Sequence, residues 1–276
     1  MRKGIVGVIV IVALAAVSAA GAANCPTVTA GKLTIGTDNP AYPPWYGGNP
    51  PPGSPWKVSD PRSGEGYESA VAYAVASAMG IPTTSVVWTY VPFNKAFAPG
   101  KKSFDFDINQ ISYTPARAKV VTFSNSYYDV NQALVVLAGS KIASAHSIAD
   151  LRDYKLGAQL GTTSYQYIKD HIKPSKSPAV YQQNAAAIQA LKNKQIDGLV
   201  VDLPTAFYIR DAQVDHSKVL QFPVVPGGEH FGMVFAKGNP LAACVNTALA
   251  KMTSNGTLKL LQQQWLAKAG GAPVLK

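Results

Sequence analysis

Four short apolar runs in this chain each end on residues that can do recognition chemistry. Asp38 follows "LTIGT"; Ser112, Thr114 and Arg117 follow "FDFDINQI"; Thr162 and Thr163 follow "LGAQL"; Asp202 follows "GLVV". In open parallel sheets, ligands bind beyond the C-terminal ends of strands, where loops and helix N-termini converge. Arg117 offers a rigid fork of donors matched to a carboxylate, and amides at a helix start around Thr163 and Ser164 add dipole-aligned donors to the same anion. Asp202, acceptor-only when ionised, suits an ammonium group. The set describes a receptor for a zwitterion, of which an α-amino acid is the commonest small example. Each charge-assisted bond contributes about 1.5 to 3 kcal/mol. Singly, each residue has a plainer reading: Arg117 as a partner for a surface carboxylate, Thr162 and Thr163 as an N-cap, Asp202 as the cap of the helix opening at Leu203. Together, at successive strand ends, those readings lose ground.

The elements that must hold these residues alternate. "KLTIGT" reads as a buried strand, and "YESAVAYAVASAMGIP" as a helix with Val71, Ala74, Val75 and Ala78 on one face, closed by Gly80 and Pro82. "SVVWTYV", "FDFDINQIS", "QALVVLA", "KLGAQL", "AVYQQN", "DGLVV" and "HFGMVFA" read as further strands. Between them come a Ser147–Asp150 capping box, a helix begun by Gly-Thr-Thr at 161–163, the helix "AAAIQALKNKQ", and one with Pro204 in its first turn. Two amphipathic helices near 241–252 and 257–269 close the chain. Strands alternating with helices predict an α/β fold with largely parallel sheets, and the alternation runs twice, before and after about residue 131. The segment 42–66, "YPPWYGGNPPPGSPWKVSDPRSGEG", is a proline-rich loop that also carries Trp45, Tyr46 and Trp56.

Length and composition agree with two domains. The chain has 276 residues, 47% hydrophobic and 14% charged, which marks a globular protein with room for a large core. Its first residues are a separate object: Arg2 and Lys3, an apolar run from Ile5 to Ala20, then small residues at 20, 22 and 23. This reads as an export signal removed near residue 23; the other reading, an uncleaved anchor, needs a span of about 20 apolar residues. Lipidation at Cys25 would want a small residue before it, and Asn24 is a poor fit. Setting aside Arg2 and Lys3 lowers the formal net charge from +10 to +8, and the excess is scattered, so no nucleic-acid groove is indicated. Two cysteines, Cys25 and Cys244, remain after the signal. In an oxidising compartment the even count favours a disulfide over two free thiols.

At this point the motifs resemble a known family. "IGTDNPAYPPW", "GYESAVAYAVASAMGI", "ISYTPARAKVVTFSNSYY", "DLRDYKLGAQLGTTSY", "IDGLVVDLP" and "NGTLKLLQQQW" occur in the order found in the extracellular solute-binding proteins of polar amino-acid ABC transporters, the family of the histidine, lysine-arginine-ornithine and glutamine binding proteins. The resemblance spans about 32–267. It implies a two-lobed, type II periplasmic-binding-protein clamshell, each lobe a mostly parallel sheet flanked by helices, with two crossover strands near 129–134 and 228–233. Lobe 1 would comprise 24–131 plus 229–276 and lobe 2 residues 132–228, so that Cys25 and Cys244 share lobe 1. Carried over by position, Arg117 grips the ligand carboxylate with the amides near Ser112 and Thr163, at the turn of Gly161 and Thr162. Asp202, Ser112 and the backbone near Gln110 take the ammonium. Asp38, Tyr42, Phe93, Asn109 and Gln110 line the side-chain pocket, and Trp45 either stacks on the ligand or is structural. Two departures stand out: Ala70 replaces the second acid of the family's helix start, and Asp107 stands where the family strand is apolar. Sharing a strand face with Asp105 and Asn109, Asp107 either reaches the cleft or hinge or pairs with a buried lysine.

The resemblance implies a monomeric, exported, periplasmic or extracellular receptor without cofactor or metal. Its partners would be a free polar or cationic L-amino acid and the membrane permease of an ABC transporter. The competing class is a periplasmic enzyme on the same fold, of the cyclohexadienyl or arogenate dehydratase kind, which would need a further acid or base in the cleft; fold alone does not separate the two. The four histidines are widely spaced and no G-x-S-x-G occurs, so neither a metal cluster nor a nucleophilic triad is read. Asp38 and Asp107 suit a basic ligand side chain, Asn109 and Gln110 an amide.

Overall fold

In a computed structural model, residues 25–224, 227–266 and 271–276 are described; the expected signal peptide lies outside them. The chain enters β1 (Leu33–Thr37), whose Leu33 and Ile35 are fully buried on one face. It then runs through the proline-rich loop into α1 (Tyr67–Ala78), which buries Val71, Ala72, Val75 and Ala76. Gly66, which starts this helix at φ +87°, has no substitute: an added Cβ would lie 2.4 Å from the Tyr46 Cα. β2 (Val86–Tyr90), the short α2 (Phe93–Ala96), β3 (Phe106–Asp107), α3 (Pro115–Ala118) and β4 (Val121–Phe123) follow. Crossing through β5 (Tyr128–Asp129), the chain builds β6 (Gln132–Leu137), β7 (Leu156–Gln159), α4 (Thr163–Tyr167), β8 (Ala179–Tyr181), α5 (Asn184–Lys192), β9 (Gly198–Asp202), α6 (Leu203–Tyr208) and β10 (Ser217–Gln221). It returns through β11 (His230–Phe231) to β12 (Val234–Ala236), then α7 (Leu241–Ser254) and α8 (Thr257–Leu266).

Two five-stranded sheets result, ordered β2-β1-β3-β12-β4 and β10-β6-β9-β7-β8, each in its own lobe. β11 pairs antiparallel with β5, setting His230 opposite Asp129 where the two crossings lie side by side. The fold is the expected α/β clamshell, with each sheet mixed. β1 pairs in parallel with β2 and β3, as β7 does with β8 and β9. The strands adjoining the crossings, β12 and β6, run antiparallel to their neighbours because the chain enters each from the hinge end. β10 escapes the pattern reading: "SKVLQ" buries only Val219 and Leu220 and lacks the apolar run of a central strand. "HFGMVFA" is one strand in pattern and two in space, interrupted at Gly232 and Met233.

The first sheet packs one face on α1, α7 and α8 around Leu33, Ile35, Phe106, Val245 and Leu249. Its other face carries a smaller core of Val91, Ala96, Phe104, Ile111, Val121 and Val234. The second sheet is covered on both faces. A disulfide joins Cys25 to Cys244 on α7, and both cysteines pack against the first core. One part of the expected division needs correcting. The last six residues, assigned to lobe 1, lie on the second sheet: Val274 bridges to Gln221 of β10, and Leu275 is buried in that lobe's core. The Leu275 and Lys276 N–H groups donate there to the Gln221 and His146 carbonyls, at 2.8 and 2.9 Å.

Candidate functional site

Between the sheets lies a cavity of about 880 Å³, counting the space open to solvent at its mouth. Asp38, Tyr42, Phe93, Asn109 and Gln110 line it from the first lobe, and Thr162, Thr163 and Asp202 from the second. These eight expected residues therefore share one wall system. Gln159, Ser164, Gln183, Asn184 and Thr205 line it as well. Among the described residues its walls carry two carboxylates and no Lys, Arg or His side chain, in a chain whose net charge is +10.

The first-lobe wall is positioned from behind. Gln110 sits at φ +48°, a conformation uncommon for a side-chain-bearing residue. It is held there by Glu68 of α1, whose Oε1 accepts the Gln110 backbone N–H at 2.6 Å and whose Oε2 takes the Gln110 side-chain amide. Glu68 also accepts the Tyr127 hydroxyl at 2.5 Å, and its complete burial pushes its carboxyl up to about 7. Asp38, at the end of β1, is raised by burial, with bonds from the Asn39 and Phe93 amides opposing.

Five expected residues do not line the cavity. Thr114 is the N-cap of α3, accepting the Arg117 N–H at 3.1 Å. Arg117 is buried and bridges the lobes: Nη1 donates to the Ser112 carbonyl at 2.6 Å and Nη2 to the Gly161 carbonyl at 2.7 Å. Its guanidinium lies over the Phe97 ring, 4.2 Å from the centroid. Burial lowers its pKa to about 10, against the opposing pull of Glu229 and Asp202. Ser112 turns its hydroxyl to Glu229 and, at 3.2 Å, to the Thr163 hydroxyl. Gly161 lies at φ +79° against Asn94 of α2. Trp45 is not on the cavity wall; it is 1% exposed and packs edge-on against Tyr67, Tyr128 and Phe231, because its indole belongs to the aromatic cluster beside the crossings.

Sequence reasoning missed Glu229. Preceding β11, its carboxylate accepts hydroxyls from Ser112 of one lobe and Thr163 of the other, and the Gln132 amide at 2.9 Å. The same Gln132 nitrogen donates to Asp202 at 2.6 Å, and Gln132 accepts from Ser164 at 2.7 Å. Asp202 is raised well above the usual carboxylate range, first by burial and then by Glu229 beside it. An acid in the second crossing and a glutamine opening an otherwise apolar strand were the available signals. Asp202 makes no cap bond to α6. Asp107 is fully buried with both carboxyl oxygens unpartnered, as is the Asn109 Nδ2. Among the described residues no group of three or more His, Cys, Asp or Glu could hold a metal ion. The arrangement suits capture of a small molecule with separated charges.

The family described as bacterial extracellular solute-binding proteins, family 3, matches residues 33–268. The ABC transporter glutamine-binding protein of Bacillus subtilis (strain 168) is 29% identical over 215 residues, 76% of each chain. The solved structure of an ancestral arginine-binding protein bound to glutamine is 27% identical with a TM-score of 0.70, covering 86% of this chain and 98% of that one. An ancestral amino acid-binding protein, a precursor of cyclohexadienyl dehydratase, is 28% identical with a TM-score of 0.67, covering 86% and 95%.

Proposed function

Because the chain belongs to the bacterial extracellular solute-binding proteins, family 3, we propose that it is the substrate-binding component of an amino-acid ABC transporter. It acts outside the cytoplasmic membrane, captures a free polar or cationic L-amino acid between its lobes, and presents it to the permease. The observation that carries this reading is the convergence of groups from both lobes, two carboxyls among them, on one cavity, while Arg117 ties the lobes together beside it. Two of the five guanidinium N–H groups of Arg117 are used on carbonyls, leaving three for a ligand carboxylate. Asp202 takes the ammonium, and Asp38, Tyr42, Phe93, Asn109 and Gln110 surround the side chain. A ligand touching both lobes stabilises the closed form more than the open one.

Titration calorimetry of the purified protein against the common L-amino acids tests this reading. At least one should bind, and Arg117→Ala should abolish binding with an unchanged circular dichroism spectrum. No response across the set overturns the receptor; undiminished affinity in Arg117→Ala overturns the role of that residue. The dehydratase alternative predicts turnover of a cyclohexadienyl substrate, followed by ultraviolet absorbance of the aromatic product. The dehydratase-related neighbour is itself described as an amino acid-binding protein, which supports binding.

A further inference from the structure

Asp107 on β3 is in register with Gly36 on β1, so the next positions on that face are Asn109 and Asp38, two floor residues of the cavity. Asp107 thus lies one strand step beneath the floor. It has room only because residue 36 is glycine: a Cβ there would stand 2.5 Å from the Asp107 Oδ2. Neither carboxyl oxygen has a hydrogen-bond partner, nor does the Asn109 Nδ2, although all three are buried. Buried polar atoms without partners are rare, because each costs about 1 to 3 kcal/mol of desolvation. Lys102, the cation that acts on Asp107, makes no hydrogen bond to it; its Nζ donates to the carbonyls of Lys95 at 3.1 Å and Ala98 at 2.5 Å.

We infer that Asp107 and Asn109 form the buried end of the ligand subsite, taking the cationic tip of the ligand's side chain, and that Asp107 selects a cationic over a neutral amino acid. This rests on the receptor reading and deepens it. A primary ammonium or guanidinium supplies the missing donors to Asp107, and a half-turn of the Asn109 amide presents its Oδ1 as a further acceptor. Asp38 lines the cavity at the end of β1, and among the described residues no cationic side chain lines it to oppose the ligand. The groups that act on Asp107 come from three elements: Glu68 of α1, Asp38 after β1 and Lys102 before β3; β12 contributes the apolar Val234. Burial and then the two acids hold the Asp107 carboxyl well above its ordinary range, Lys102 opposing, and an entering cation favours its charged form. The carboxylate then pairs with the ligand cation, and a proton held by the carboxyl leaves to solvent.

Calorimetric titrations at pH 7 with L-arginine, L-lysine and L-glutamine as probes measure that preference. At least one cationic ligand should bind about tenfold or more tightly than glutamine. In Asp107→Asn, which replaces the acid by an amide of the same shape, cationic affinity should fall at least about tenfold, while glutamine changes by less than about threefold. Asp107→Leu should behave likewise toward the cations, and urea melts report whether either variant folds. A preference of the unmutated protein for glutamine overturns the inference, as does full cationic affinity in Asp107→Asn. Failure of every amino acid to bind the unmutated protein overturns the receptor reading instead.

Discussion

Trp45 and Thr205 are 160 residues apart and joined across the cleft: the indole N–H of the first donates to the hydroxyl of the second at 2.9 Å. Trp45 belongs to the proline-rich loop, and its ring rests on Tyr128 of β5 and Phe231 of β11. One side chain therefore touches both crossing strands and the opposite lobe. Nearby, Tyr42 and Tyr208 meet across the same gap with ring centroids 6.4 Å apart.

This bond predicts a latch that works without ligand. Trp45→Phe keeps an aromatic ring in the cluster and removes the N–H, which stabilises the closed form by about 1 kcal/mol. Small-angle scattering of the unliganded variant should show a larger radius of gyration, and ligand affinity should fall about fivefold. Thr205→Val should do the same, and the double variant should lose little more than either alone. Additive losses would mean that the two residues act separately.

Glu229 predicts a pH effect through Asp202. Burial is the larger cause of the raised Asp202 pKa and Glu229 the second, so Glu229→Gln removes like-charge repulsion and lets Asp202 ionise at lower pH. Affinity for an amino acid should weaken on acidification in both proteins, as Asp202 gains the proton that the ligand ammonium must displace. The midpoint of that loss should lie at lower pH in Glu229→Gln. Dissociation constants measured between pH 4 and 8 give both midpoints; coincident curves would show that the two carboxyls are uncoupled.

Gly161 predicts a steric block to closure that a second substitution relieves. An alanine Cβ at this position would stand 2.2 Å from the Asn94 Oδ1, and φ +79° adds backbone strain of about 1 kcal/mol. Gly161→Ala should weaken ligand binding by about tenfold or more and leave the liganded protein more open in scattering. Asn94→Ala in the same chain should restore most of the affinity, leaving the backbone strain alone. No rescue would place the whole effect in the Gly161 backbone.

The elements that were legible are those with a local pattern. α1 carries its apolar face and its terminating Gly80 in sequence, and β7 and β9 are uninterrupted apolar runs ending in polar residues. The strand-end logic placed Asp38, Thr163 and Asp202 around one cavity because sheet topology brings successive strand ends together. What was illegible depends on chain closure. Glu229 has no periodic signal; its meaning comes from two crossings lying side by side, which puts it between Ser112 and Thr163. For Trp45 the sequence leaves ligand stacking and a structural role equally open, and its packing on Tyr128 and Phe231 at the hinge favours the structural one. The terminal strand-like residues 273–275 sit on β10, an element that sequence patterning passed over, so neither half of that pair could announce the other.

Glu68 couples the hinge to the pocket and predicts how stability depends on pH. Its carboxyl accepts from Gln110, on the cavity wall, and from Tyr127, the residue before β5. Burial raises its pKa from 4.5 to about 7, the opposing bonds from Tyr127 and Gln110 being too weak to cancel it. Below pH 4.5 the group is protonated in both folded and unfolded chains and contributes no pH dependence. Between 4.5 and about 7 the folded chain binds more protons than the unfolded one, so stability falls as pH rises, and above 7 the loss is complete. A shift of that size corresponds to about 3 kcal/mol. Asp38, Asp105, Asp107 and Asp202 are also raised and tilt the profile the same way, so the contribution of Glu68 is read as a difference between proteins. Urea melts of the unmutated protein and of Glu68→Gln at pH 4.5, 6 and 8 should show a shallower decline in the variant. The neutral amide keeps one acceptor for the Gln110 N–H or the Tyr127 hydroxyl and cannot serve all three donors, so the variant starts less stable at pH 4.5 and closes the gap by pH 8. Parallel declines in the two proteins would mean that Glu68 does not take up a proton on folding, and its hold on Gln110 would then be that of a permanently charged acceptor.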